Sequence, residues 1–317
     1  MAAQALRLFL SGATAAGHQH YAQALRAKGG HDLPVAFHAS VLRAAGRLTD
    51  ADLLPTLAYA AGGDPCAVPL LQNTPPAAVV AEYDRWFVRG CATPAMVAHA
   101  LCWLSRAGAS SDLANLVAEP ALLAVERLAI GRDALEAVAA LLSRGEHLPR
   151  SPAVRSARDL GRIPDLHLSA APAIITVHTQ VAERVQRYLD RVRTLGHVMS
   201  AHLPQRPVLR SWANISDGRG YHTPHIHTGC WVVAVLFVQG PSQADDTEAG
   251  CLRIGHAPGG NAHCHGWPTA QIAPEAGTLV LMPSFYTHWT VPHPSCETRI
   301  TIAFNVCEAD APLDDQE

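Results

Sequence analysis

Charge is scarce in this sequence: Asp, Glu, Lys and Arg make up only 16% of its 317 residues, and the net charge is -3. That leaves no basic face for nucleic acid and no acidic tail, and it points to a small-molecule or peptide substrate. Organised cysteines are missing too. Cys66, Cys91, Cys102, Cys230, Cys251, Cys264, Cys296 and Cys307 include no CxxC pair and no compact framework, which excludes a knuckle-type metal site and a disulfide scaffold. The N-terminal residues lack a basic region followed by a long apolar run, so reduced thiols, a cytoplasmic location and no membrane partner are expected. A nucleophile elbow, a phosphate-binding glycine loop and a dinucleotide fingerprint are absent as well.

What the chain does have is apolar residues, 49% of the total, enough for a real core at this length and for two domains. Residues 1–165 read as short helices. Thr49 caps a stretch from Asp50 with Asp52 placed as in a capping box, and Leu53, Leu54, Leu57 and Ala58 form its apolar side. Thr93-Pro94 repeats that logic before Met96, Val97, Leu101 and Leu104. Further helical stripes are Val79, Val80, Tyr83 and Phe87, and Leu135, Val138, Leu141 and Leu142. Such helices cannot bury a face singly, so a stacked, tetratricopeptide-like region is expected. The proline-broken stretch from Arg150 to Pro164 reads as the boundary or an inter-domain strap.

The second domain, 166–317, opens with a long amphipathic helix over about 175–201, carrying Val177, Val181, Val185, Tyr188, Leu189, Val192 and Leu195. From Val208 the pattern turns to strands: Trp231 to Val238, Cys251 to Ile254, Thr278 to Met282 and Arg299 to Val306. Short strands between glycine and proline breaks suggest a double-stranded β-helix, a jelly-roll barrel with its ligand in the mouth. The fold class is thus α+β, an all-helical repeat-like region followed by a barrel.

Within that barrel His225-Ile226-His227, His288 and Arg299 follow one another in order. A His-x-His pair alone is weak evidence, but two imidazoles one residue apart point the same way from an extended segment, and His288 stands where one strand ends and another begins. Arg299 lies about one strand and a turn further on, and Thr301 shares its face. Alone, Arg299 would read as a strand-edge ion pair. Three imidazoles on one side of an octahedral ion leave positions for a bidentate 2-oxoacid and dioxygen. An arginine fork suits the far carboxylate of such an acid, and the Thr301 hydroxyl adds a donor.

Residues 205–308 resemble the 2-oxoglutarate/Fe(II)-dependent oxygenases found attached to tetratricopeptide-type helical regions. The resemblance is carried by Ser211-Trp212-Ala213-Asn214, Gly220-Tyr221-His222-Thr223-Pro224-His225-Ile226-His227, Gly250 to Gly255, Pro274 to Ser284, His288 with Thr290-Val291-Pro292, and Arg299 to Asn305. It implies Fe(II) on His225, His227 and His288, 2-oxoglutarate on Arg299 with Thr301, and O2 as cosubstrate. The implied activity is a dioxygenase that hydroxylates a C–H bond and releases succinate and CO2. The wider superfamily has a carboxylate where His227 stands, while this subfamily also carries His-x-His; Asp217 or Glu248 remains the alternative ligand. Gly229-Cys230-Trp231-Val232 departs from a small polar step in related sequences and bears on substrate contacts.

Other signals read more plainly. His263-Cys264-His265 fits a solvent-exposed loop, with a zinc site as the alternative. His222 fits a barrel-mouth residue, with ligand orientation or substrate contact as its other role. Tyr286 and Trp289 flank His288 as packing or entrance residues, and Asn214 shares a strand face with Trp212. Two competing functions stay open: a three-histidine cupin-type metalloenzyme that does not use 2-oxoglutarate, and an inactive barrel serving a helical-repeat interaction module. In the leading reading, the helical region presents a peptide or carrier-bound substrate.

Overall fold

The computed structural model describes residues 2–27, 38, 41–42, 45–47, 94, 97, 120–144, 150–151, 156–217, 220–227, 229–241, 248–255, 269–293 and 297–309. The chain forms two compact units, Met1–Met96 and Val97–Glu317. In the first, α1 (Ala2–Leu10) packs on α2 (Thr14–Ala27). Phe9 and Tyr21 meet with ring centroids 6.4 Å apart, and the Tyr21 hydroxyl hydrogen-bonds His38 Nδ1 at 2.9 Å. The helices touch closely at Gly17, where a Cβ would stand 2.8 Å from the Phe9 ring. The helical stripes expected at 50–58 and 79–87, and that at 93–104 apart from Pro94 and Val97, lie outside the described residues.

The second unit is built on two antiparallel sheets. Its strands are β1 (Ala124–Arg127), β2 (Arg150–Ser151), β3 (Ala157–Arg158), β4 (Leu160–Ile163), β5 (Pro207–Ser216), β6 (Tyr221–His222), β7 (Val232–Gln239), β8 (Leu252–Ile254), β9 (Ala270–Ile272), β10 (Thr278–Pro283), β11 (His288–Thr290) and β12 (Arg299–Glu308). The large sheet runs β1-β10-β7-β12-β5-β4-β2, the small one β11-β8-β9, and β3 pairs with β6. A cavity lined from both larger sheets lies between them, the jelly-roll arrangement expected from the strand pattern. β7 is buried along nearly its whole length because β10 and β12 flank it and both of its faces are covered.

Alternation along β12 and β5 sorts side chains between two environments. Arg299, Thr301 and Ala303 face the cavity with Trp212 and Asn214. Phe304 and Ser211 face the other way, onto helix α4 (Pro172–Thr194), where His178 meets the Phe304 ring at 5.2 Å and Ser211 Oγ at 2.9 Å. Six of the apolar residues read along this helix are buried, whereas Leu195 is 41% exposed. The helix stops at Thr194 rather than near 201 because Gly196 turns the chain at φ 66°. Helix α3 (Arg132–Ser143) buries Leu135, Val138, Ala139 and Leu142 against the large sheet, leaving Leu141 partly exposed.

The structure divides the chain well before the expected boundary near 165. β1 adds a strand beside β10, with Ala124 opposite Leu281, and β4 pairs with β5. The four residues of β1 include Glu126 and Arg127, too few and too polar to announce a strand inside a helical stretch. The segment expected as an inter-domain strap is woven into the barrel instead. Ala157 pairs with His222, and Thr223 donates its backbone N–H to Ser156 O at 2.9 Å. This seam is tight: at Gly220 a Cβ would lie 2.5 Å from Asp159 O, while Asp159 itself adopts φ 52°.

Candidate metal centre

His225, His227 and His288 come together, with one ring nitrogen of each lying within 4.8 Å of the others. Two sets of backbone bonds place them. His225 and His288 form an isolated antiparallel bridge, N–H to O at 3.1 Å and 3.0 Å, and His227 N–H reaches Ser284 O at 3.0 Å. Each ring is then fixed at Nδ1 by an oxygen: His225 by Thr223 O at 2.8 Å, His227 by Asn305 Oδ1 at 2.8 Å, and His288 by Tyr286 O at 3.0 Å. An oxygen acceptor at Nδ1 fixes the proton there and leaves Nε2 as the lone-pair nitrogen, the tautomer a metal ligand needs.

Burial also keeps these rings neutral. Desolvation pushes His227 down to about 3, aided by neighbouring His225 and opposed by the Asn305 hydrogen bond. His288 is lowered well below the ordinary histidine value by burial and then by His225 and His227, and His225 is lowered by burial. His222, whose ring centroid is 5.5 Å from that of His225, is lowered in the same way. Neutral imidazoles are ready for a cation without first losing protons.

The second polar anchor is Arg299, only 3% exposed. Its Nε is buried without a hydrogen-bond partner, and its guanidinium carbon lies 5.6 Å from the Phe237 ring centroid. Among the described residues no carboxylate pairs with it. Burial pulls its pKa down to about 10. An unpaired buried cation is costly, and an anion beside it would offset that cost. Thr301, also buried, lines the same cavity.

The residues proposed as substitute ligands are not in the cluster. Glu248 is paired with Arg253 at 2.5 Å and is about half exposed. The His263-Cys264-His265 loop lies outside the described residues. Asn214 lines the cavity beside Trp212, and Trp212 stacks on His227 at 5.9 Å. Two contributors were not singled out as site residues from the sequence. Asn305 sits an even number of residues from Arg299 on the same strand, a spacing that does mark it. Arg162, whose guanidinium lies 4.7 Å from the Trp212 ring centroid, sits in the supposed linker and had no such signal.

A donor set of three neutral imidazoles around one point, beside an orphaned guanidinium, fits a divalent metal and a chelating dianion. The family model described as "Putative 2OG-Fe(II) oxygenase" matches residues 210–305. That stretch holds all three histidines, Arg299, Thr301 and Asn305, and the iron and 2-oxoglutarate of the family's description are what this donor set fits. No curated protein matches the chain. Among solved structures, a Pseudomonas putida prolyl-4-hydroxylase is similar at 15% identity and TM-score 0.43, covering 59% of this chain and 92% of that one. A Trichoplax adhaerens prolyl hydroxylase, in complex with a hypoxia inducible factor peptide fragment, is similar at 14% identity and TM-score 0.44, with 67% and 96% covered. HygX from Streptomyces hygroscopicus, with nickel and 2-oxoglutarate bound, is similar at 16% identity and TM-score 0.37, with 60% and 84% covered.

Proposed function

We propose that this protein is an Fe(II)- and 2-oxoglutarate-dependent dioxygenase that hydroxylates a C–H bond of a small-molecule or peptide substrate. His225, His227 and His288 hold the metal through Nε2, and Arg299 with Thr301 receives the far carboxylate of 2-oxoglutarate. The observation that carries the reading is the pairing of a preset three-imidazole cluster with a buried, carboxylate-free arginine in one cavity. Together the bound metal and cosubstrate supply the oxidising power, with 2-oxoglutarate leaving as succinate and CO2.

The protein's own part is geometric and electrostatic. Asn305, Thr223 and Tyr286 hold the imidazoles in orientation through Nδ1. The Arg299 fork fixes the cosubstrate's far end, so its chelating end has one direction left. Val233, Val235 and Leu252 give the cavity apolar walls that exclude water.

A three-histidine enzyme without an oxoacid would leave the Arg299 charge unanswered. Among the described residues no helix is long and apolar enough to cross a membrane, and the buried cysteines Cys230, Cys251 and Cys307 suit a reducing, cytoplasmic setting. In this reading the N-terminal helices are tetratricopeptide-like and present a peptide or carrier-bound substrate. Unchanged substrate binding after removal of residues 1–96 would refute that part. The test of the whole is Fe(II)-dependent succinate formation from 2-oxoglutarate, expected in the native chain and lost in Arg299→Ala. Equal turnover in that variant removes the assignment.

A further inference from the structure

The chamber supplies no negative charge of its own to an ion at the three-histidine cluster. His225, His227 and His288 are uncharged ligands, and the oxygens that fix their Nδ1 atoms are uncharged as well: Thr223 O, Asn305 Oδ1 and Tyr286 O. Among the described residues no Asp or Glu lines the cavity. None contributes to the lowered pKa of any of the three ligands either; burial leads in each case.

A divalent ion held there keeps both of its charges. Arg299 adds a third, buried in the same cavity. The two carboxylates of 2-oxoglutarate answer two of the three. Val233, Val235, Leu252 and Ala303 make much of the wall apolar, and an uncompensated charge in such surroundings is poorly screened. Three imidazoles and a two-point chelate leave an octahedral ion one open position.

We infer that this remaining position is a binding site for a small monovalent anion, a halide or pseudohalide, drawn there by a ligand set and surroundings that carry no carboxylate. The inference rests on the oxygenase reading above. With a carboxylate in place of His227, as in the wider superfamily, the ion, Arg299 and 2-oxoglutarate would already cancel, and an anion would meet no surplus. Filled in this way, the position is closed to dioxygen, so such anions restrain turnover.

The experiment uses the full chain loaded with Co(II), whose visible spectrum responds to its ligands, and saturated with 2-oxoglutarate. Azide and chloride are titrated in, with perchlorate at equal ionic strength as the weakly coordinating control. A saturable spectral change is expected with azide and chloride and not with perchlorate. His227→Asp, which puts a carboxylate into the ligand set, should weaken azide binding by at least about tenfold at unchanged cobalt content. Asn305→Asp leaves all three imidazoles in place and keeps an oxygen acceptor for His227 Nδ1 while adding a negative charge. It should weaken azide binding in the same direction, and it decides the matter if His227→Asp fails to hold the metal. No saturable change with either anion, an equal change with perchlorate, or native azide affinity in Asn305→Asp overturns the inference. Failure of 2-oxoglutarate to bind the Co(II)-loaded native chain defeats the oxygenase reading instead, and this inference with it.

Discussion

His225 and His288 exchange two backbone hydrogen bonds across a single bridge, and their ring centroids stand 4.2 Å apart. Residues 63 apart in sequence are therefore set side by side by main-chain bonds rather than by the ion they are suited to bind. The cluster is preset before metal arrives, which lowers the ordering cost of binding.

Asn305 is the residue that orients His227, by accepting from its Nδ1–H. Asn305→Leu removes the acceptor and leaves the imidazole free to choose the wrong tautomer. Metal affinity should fall by about ten- to a hundredfold, measured by titration with Ni(II) or Co(II). An unchanged affinity would mean that packing against Trp212 alone aligns the ring.

Arg299 is held at a cost to stability in the absence of an anion. Arg299→Met should leave the metal-free protein as stable or more stable, by up to about 1–4 kcal/mol, while abolishing 2-oxoglutarate binding. Arg299→Lys should not restore binding to native strength, because an ammonium lacks the two-pronged geometry. Denaturant unfolding and calorimetry read the two effects separately.

Acid should destabilise the metal-free protein over a defined window. Burial lowers the pKa of His222, His225, His227 and His288 from 6.5, in His227 to about 3. Unfolded histidines take up protons that the folded state refuses, so stability is intact above about pH 6.5 and falls as pH drops from there toward about 3. The slope is at most about 1.4 kcal/mol per pH unit for each buried imidazole. Unfolding midpoints against pH should show it, and His227→Gln should flatten it by close to one proton. A native slope that the variant leaves unaltered would contradict this account.

Truncation checks the division of the chain. A fragment 97–317 keeps β1, α3 and β4, whereas a fragment 166–317 exposes the edges of β10 and β5 that they cover. The shorter fragment should aggregate or unfold at a clearly lower temperature. Equal unfolding midpoints for the two would restore the boundary near 165.

The site was far more legible in the sequence than the limits of the barrel. His225, His227, His288 and Arg299 could be read because their residue types are rare in apolar stretches, and Thr301 because strand alternation, a local rule, puts it on the face of Arg299. Asn305 obeys the same alternation, but its role is defined by His227, 78 positions away, and nothing local records that contact. β1 and Arg162 were hidden for a different reason. Their roles are defined by partners 157 and 52 positions away, Leu281 for Ala124 and Asn214 for Arg162, and no local periodicity records such pairing. The long helix was visible in its apolar stripe, yet its end was fixed by the left-handed turn at Gly196.

The close approach at Gly220 has a consequence for the chemistry of the chamber. Because even a methyl group there would collide with the carbonyl of Asp159, any other amino acid must pry β3 and β4 away from β6. The breach would open beside His222 and Arg162, admitting bulk water to the compartment that holds the three-histidine cluster. A single hydrogen atom in place of a side chain thus keeps the roof on.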